Sequence, residues 1–125
     1  MRRAYEAFNS GDLDAAIAVG ATTFEYVATG VIPGAEGIYR GREEYREFLQ
    51  RWWGEFEDPK VDVHELTDAG ERVLAHVTFR GRGKLSGAEA SWRLWQLWTV
   101  RDGQVTSGRG FTSRAEALEA ARLRE

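Results

Sequence analysis

Residues 91–105 read SWRLWQLWTVRDGQV, and this stretch decides the fold. Asp102-Gly103 is a two-residue hairpin signal, since both residue types accept the positive φ of a tight turn between twisted strands. The run before it is therefore predicted as a strand from Ser91 to Val100. The run after it is its partner, from about Gln104 to Phe111. Side chains alternate along a strand, so Trp92, Leu94 and Trp98 share one face while Trp95 and Leu97 share the other. Both faces are apolar, and such a strand needs cover on both sides.

The period of two extends upstream. Val73, Ala75, Val77 and Phe79 alternate with Leu74, His76, Thr78 and Arg80. Before them Val61, Val63 and Glu65 alternate with Asp62, His64 and Leu66, and Asp68-Ala69-Gly70 supplies the turn between the two runs. Ahead of Pro59 the pattern is helical. Tyr5 and Phe8 share a face that stops at Asn9-Ser10-Gly11, and Asp12 is placed to cap the next helix, with Leu13, Ala16, Ile17 and Gly20 on its face. Phe24-Glu25-Tyr26-Val27 reads as a short strand, followed by a glycine-rich excursion over residues 30–41. The third helix carries Tyr45, Phe48, Leu49, Trp52 and Phe56 on one stripe, with its end bracketed by Gly54 and Pro59. Ser113 and Glu116 form a capping box for a short C-terminal helix through Leu118. Helices followed by hairpin-linked strands make an α+β pattern.

A chain of 125 residues, 42% hydrophobic and 30% charged, is expected to form one domain over residues 1–125. Its net charge of -3 comes from 17 basic and 20 acidic residues with no basic block, which argues against a nucleic-acid partner. Cysteine is absent, so disulfides and thiolate chemistry are excluded. Two histidines, His64 and His76, are too few for a three-histidine zinc site, and no metal or cofactor is expected. No long apolar run points to a membrane, and the cytoplasm is the expected location.

The segments AYEAFNSGDLDAAIAV, FEYV, YRGREEYREFL, LWTVRDGQV and SRAEALEA, in this order, resemble the SnoaL-like branch of the nuclear transport factor 2-like superfamily. The resemblance implies a cone: a curved antiparallel sheet wraps the N-terminal helices and leaves a pocket at its open end. Family members include ketosteroid isomerases, polyketide cyclases, epoxide hydrolases and binding domains. The isomerases' base position falls on Tyr26 and their oxyanion-hole acid on Trp95. The hole's tyrosine falls on Ala4, with Tyr5 one residue away, and the epoxide hydrolases' aspartate falls on Gly110. Each familiar acid is missing here, so no ketosteroid isomerase activity is expected.

By the same alignment the cavity face carries Leu74, His76, Thr78, Arg80, Arg93, Trp95 and Leu97. Tyr26 and Trp52 complete the expected ligand pocket with Thr78, Arg93, Trp95 and Leu97. His76 paired with Asp62 is the candidate catalytic couple, since a carboxylate fixes the imidazole tautomer. Gly108 and Gly110 fit either a ligand lying against backbone or a sharp bend. Trp92, Leu94 and Trp98 then lie on the outer face, where back-to-back sheets imply a homodimer. The expected function is binding of a small, mostly apolar or aromatic molecule. The alternative is an isomerase, cyclase or hydrolase acting through His76.

Overall fold

A computed structural model describes residues 1–28 and 36–123. Helix α1 (Arg2–Asn9) ends at Gly11, whose φ of 82° suits glycine, and the Asp12 carboxylate caps α2 (Leu13–Ile17) by accepting from the Ala15 N–H at 3.0 Å. Strand β1 (Gly20–Ala28) is longer than the four residues expected, and Gly20 opens it instead of closing α2. Of the glycine-rich excursion, residues 30–35 lie outside the described residues, and Gly37–Arg40 forms the short strand β2. Helix α3 (Gly41–Trp53) buries Phe48, Leu49 and Trp53, so Trp53 rather than Trp52 is its core tryptophan. Phe56 already belongs to β3 (Phe56–Ala69), which contains Pro59 beside a register shift between Glu57 and Lys60. β4 (Arg72–Gly83), β5 (Glu89–Arg101) and β6 (Gln104–Phe111) follow, then α4 (Arg114–Leu123).

The six strands form one curved, unclosed sheet in the order β2-β1-β6-β5-β4-β3. Neighbours are antiparallel except that β1 runs parallel to β6. Asp102 and Gly103 turn the β5–β6 hairpin with φ of 52° and 77°, as their sequence signal requires.

The two faces of the sheet are the reverse of the expected ones. Ala75, Val77 and Phe79 of β4, with Leu94 and Trp98 of β5, pack with Tyr5, Phe8, Phe48 and Trp53 in one core, and Trp92 joins at its margin. Trp92, Leu94 and Trp98 therefore point toward the helices, and Trp95 and Leu97 point away. The reason lies in β4. One of its faces is wholly apolar, whereas the other holds His76, Thr78 and Arg80. Only the first can be buried under helices without leaving polar groups unpaired. Antiparallel pairing transmits that choice to β5, because Val77 faces Leu94, Phe79 faces Trp92 and Val73 faces Trp98.

The outer face finds its cover within the chain. Helix α4 runs past the expected end at Leu118 to Leu123, and its Ala117 is buried against Leu74, Leu97 and Phe111. Arg72 Nη1 donates to the Ala121 carbonyl at 3.0 Å, which ties the last turn of α4 to β4. The need for outer cover, read from β5, was sound. Its apolar part is met by this helix, which removes the premise that a second subunit must supply it.

A bulge in β3 matters for the histidines. The register shifts between Val63 and Glu65, so Glu65 rather than Asp62 or His64 stands opposite His76. The extra residue also keeps Leu66 on the side of Val61 and Val63, packed against the core.

Candidate functional site

Between α1, α2, α3 and the inner face of the sheet lies a cavity of about 60 Å³. Its wall is mostly apolar, with Phe8, Ile17, Phe24, Leu49, Phe79 and Val105 among the lining. Polar atoms come from Tyr5, Arg42, Tyr45, Gln96 and Trp98. No carboxylate and no histidine lines it among the described residues.

The deep side of this cavity is a closed chain of hydrogen bonds. Gln96 is 3% exposed and is the buried polar residue of the described core. Trp98 Nε1 donates to the Tyr5 hydroxyl at 2.8 Å. An indole N–H can only donate, so the Tyr5 proton is left for Gln96 Oε1, 2.6 Å away. That fixes the amide: Nε2 faces the Tyr26 hydroxyl and donates to it at 3.0 Å. One N–H of Gln96 has no described partner. Burial pushes the Tyr5 phenol far above its ordinary value and Tyr26 up to about 12. Both stay protonated at neutral pH. The floor is a set of neutral donors and acceptors, and it holds no group poised to take up a proton.

The α3 wall of the cavity is different. Arg42 and Tyr45 sit three residues apart on α3 and both line the cavity. Arg42 is half-buried, and its Nε donates to the Gly20 carbonyl at 2.7 Å, which fixes the guanidinium against the start of β1.

The residues expected to form the site are mostly elsewhere. Asp62, His76, Thr78, Arg93, Trp95 and Leu97 lie on the outer face. Leu97 is covered by α4, with Trp95 packed at the edge of that cluster. Asp62 does not touch His76: it accepts from Arg80 Nε at 2.7 Å and from Arg80 Nη2 at 3.2 Å. Arg80 also holds its carboxyl below the usual carboxylate range. The His76 ring lies flat on Trp95, centroids 4.6 Å apart, and its Nε2 accepts from Arg93 Nε at 2.7 Å. His64 stands 4.8 Å from it, centroid to centroid, bonded to Thr78 Oγ1 at 2.8 Å. The expected couple is therefore two separate contacts outside the cavity, with Asp62 opposite Thr78 and held by Arg80 and His76 held by Arg93. Tyr26 is on the inner face, one hydrogen bond behind the cavity wall, and Trp52 packs half-buried at the core's margin.

His76 does carry a pH prediction. Partial burial and the neighbouring Arg93 charge lower its pKa, so the folded protein disfavours the imidazolium. The unfolded chain then binds more protons below about pH 6.5. Stability is complete above that pH and falls as the solution is acidified toward the folded pKa. Urea unfolding of His76→Gln is expected to show a shallower decline than the native chain between pH 7 and pH 5. Parallel declines would show that His76 does not contribute.

Gln96, Arg42, Tyr45 and the role of Tyr5 escaped the sequence reading. The signal for Gln96 was present, because the apolar alternation of β4 continues through strand pairing to Ala75 opposite Gln96. The resemblance puts the oxyanion-hole acid one residue away, at Trp95, and the hole's tyrosine at Ala4, one residue from Tyr5.

A sequence profile described as SnoaL-like domain matches residues 1–108. No curated protein matches the sequence. Among solved structures, an NTF2-like protein from Burkholderia thailandensis E264 superposes with a TM-score of 0.79 at 24% identity, over 95% of this chain and 92% of that one. TerC, co-crystallized with polyporic acid, gives 0.77 at 21% identity, covering 97% and 94%. A proposed SnoaL-like polyketide cyclase from Jannaschia sp. CCS1 gives 0.75 at 20% identity, covering 96% and 86%. At these identities the likeness concerns the fold. No described helix is long and apolar enough to cross a membrane.

Proposed function

Because the chain belongs to the SnoaL-like domain family, we propose that it binds a small, mostly apolar molecule with a hydrogen-bonding group in the cavity bounded by Tyr5, Gln96 and Trp98. The observation that carries this reading is the buried amide of Gln96, oriented by Tyr5 and Tyr26, with Trp98 fixing the Tyr5 proton, and left with one N–H beside an apolar space. Buried polar groups are held in this way when they fix the orientation of a ligand, and few are needed. The fold hosts small organic molecules in other chains, since TerC was co-crystallized with polyporic acid and a ketosteroid isomerase-like protein from Catenulispora acidiphila is in complex with trimethylamine. At about 60 Å³ the space is well under the roughly 150 Å³ that accommodates benzene. The ligand portion it encloses is therefore a short chain or a small branched group, not a fused ring system.

Trp98 lines the cavity, and Trp95 does not, so Trp98 is the expected reporter. Titration with short-chain alcohols and ketones is expected to change tryptophan emission in the native protein, and the change is expected to be lost in Trp98→Phe. Gln96→Leu is expected to weaken binding of oxygen-bearing ligands about tenfold, in line with loss of about one hydrogen bond worth ~1.4 kcal/mol. Equal affinity of the native and Gln96→Leu proteins would remove Gln96 from the site.

The homodimer belongs to the same proposal in altered form. The part of the outer face that α4 leaves open carries Trp95, His76, His64 and Arg93, and these replace Trp92, Leu94 and Trp98 as its centre. Sedimentation equilibrium is expected to give twice the chain mass for the native protein and a folded monomer for Trp95→Glu. A native monomer would end that part of the reading.

A further inference from the structure

The two half-buried charged residues of α3 differ: Arg46 is paired with carboxylates and Arg42 is not. Arg40 meets Glu25 at 3.1 Å, and Arg46 meets Asp14 and, at 3.8 Å, Glu43. Glu44 accepts the Arg40 backbone N–H at 3.0 Å. Arg42 has no carboxylate within 4.0 Å among the described residues, although Glu43, Glu44 and Glu47 lie on its own helix. A half-buried guanidinium without an anion is a costly arrangement unless something else satisfies it. Its Nε is used by the Gly20 carbonyl, which leaves the two terminal nitrogens as the part that can meet a ligand.

Arg42 also lines the cavity, alone among the charged residues described there. Tyr45, three residues along α3, presents a phenol with no described hydrogen bond. Burial and the neighbouring phenols of Tyr26 and Tyr5 raise its pKa, so it remains a donor at any physiological pH. The cavity is thus polar at two sides of opposite character: a neutral, enclosed group of the Gln96 amide with the Tyr5 and Tyr45 phenols, and a half-exposed cation at Arg42. Between them the wall is apolar and the space is short.

We infer that the ligand is a short-chain carboxylate, with its acid group on the Arg42 guanidinium and its apolar tail in the cavity. A guanidinium's planar fork of N–H groups matches the two oxygens of a carboxylate. The volume limits the enclosed tail to a few carbon atoms, scaling from the roughly 150 Å³ that holds a six-carbon ring. Butyrate and isobutyrate are of the right length. The inference rests on the reading of this cavity as the ligand site, and it adds the charge and size class of what enters.

The test compares butyrate with uncharged 1-butanol, read by Trp98 emission and by calorimetry, on native protein, Arg42→Gln and Arg42→Lys. Both variants are first checked for native far-ultraviolet dichroism. The native protein is expected to prefer butyrate by tenfold or more, with an affinity that falls as sodium chloride is raised. Arg42→Gln is expected to lose the preference and keep the butanol response. If the Gln variant does not fold, Arg42→Lys, which retains the charge, decides by keeping the preference and its salt dependence. Equal binding of butyrate and butanol by the native protein overturns the carboxylate while leaving the cavity as a ligand site. Binding of neither, at millimolar concentration, overturns the cavity reading itself.

Discussion

Trp98→Glu is expected to leave no folded protein, while Trp95→Glu stays folded, although the two tryptophans are three residues apart on one strand. Trp98 is 5% exposed, bonded through its indole to Tyr5, and packed against Tyr26 at 5.5 Å and Phe24 at 6.4 Å between ring centroids. Truncating a buried tryptophan costs about 3–5 kcal/mol, and placing a carboxylate in the vacated space adds several more. Domains of this kind have about 5–15 kcal/mol in total. Trp95 is half-buried and stacks on His76, a contact worth about 0.5–1.5 kcal/mol. The measurement is soluble yield together with a thermal melt for each variant. A folded Trp98→Glu beside a collapsed Trp95→Glu would mean that β5 presents the opposite face to the helices.

Gly108→Val is expected to destabilise the fold markedly. A side chain on Gly108 would collide with the Cζ3 and Cε3 atoms of Trp98 and approach Tyr26 Cδ1 to 2.9 Å. Neither ring can withdraw freely. The Trp98 indole is held by Tyr5, and Tyr26 by Gln96. Overpacking a core in this way costs about 1–3 kcal/mol per substitution and more where backbone must move. Gly108→Ala is expected to lower the urea midpoint and Gly108→Val to lower it further. A double-mutant cycle of Gly108→Ala with Trp98→Leu is expected to show coupling, because the smaller side chain relieves the collision. Additive losses would mean that the indole is not what excludes a side chain at Gly108. This explains one of the two thin positions of the last strand: Gly108 makes room for a neighbouring tryptophan rather than for a ligand.

The sequence by itself determined the elements and their order. Asp102-Gly103 demanded a tight hairpin and formed one, Asp12 and Ser113 marked helix starts, and the alternation on β4 and β5 defined two strands of matching length. It also established that β5 needs cover on both faces. These features are local: a turn, a cap or a period is written within a few adjacent residues. Membership of the SnoaL-like family followed from the same segments in the same order.

Only the tertiary structure decided which face is which and what supplies the cover. Parity along a strand is absolute but its sign is not, and a one-residue slip exchanges every inward and outward side chain. The sign was set by the packing of β4's apolar face under α1 and α3, which carried Trp98 inward and His76 outward. The bulge at His64 then put Glu65 opposite His76, while Asp62 stands opposite Thr78 and is held by Arg80, a shift that an alternating pattern cannot reveal. The Tyr5–Gln96 bond joins residues 91 positions apart, and Arg42 reaches the Gly20 carbonyl across 22. Hydrogen bonds of that span have no local signature, because their cost and their gain are both settled by burial that the whole sheet creates. The cavity and its cation are products of that packing.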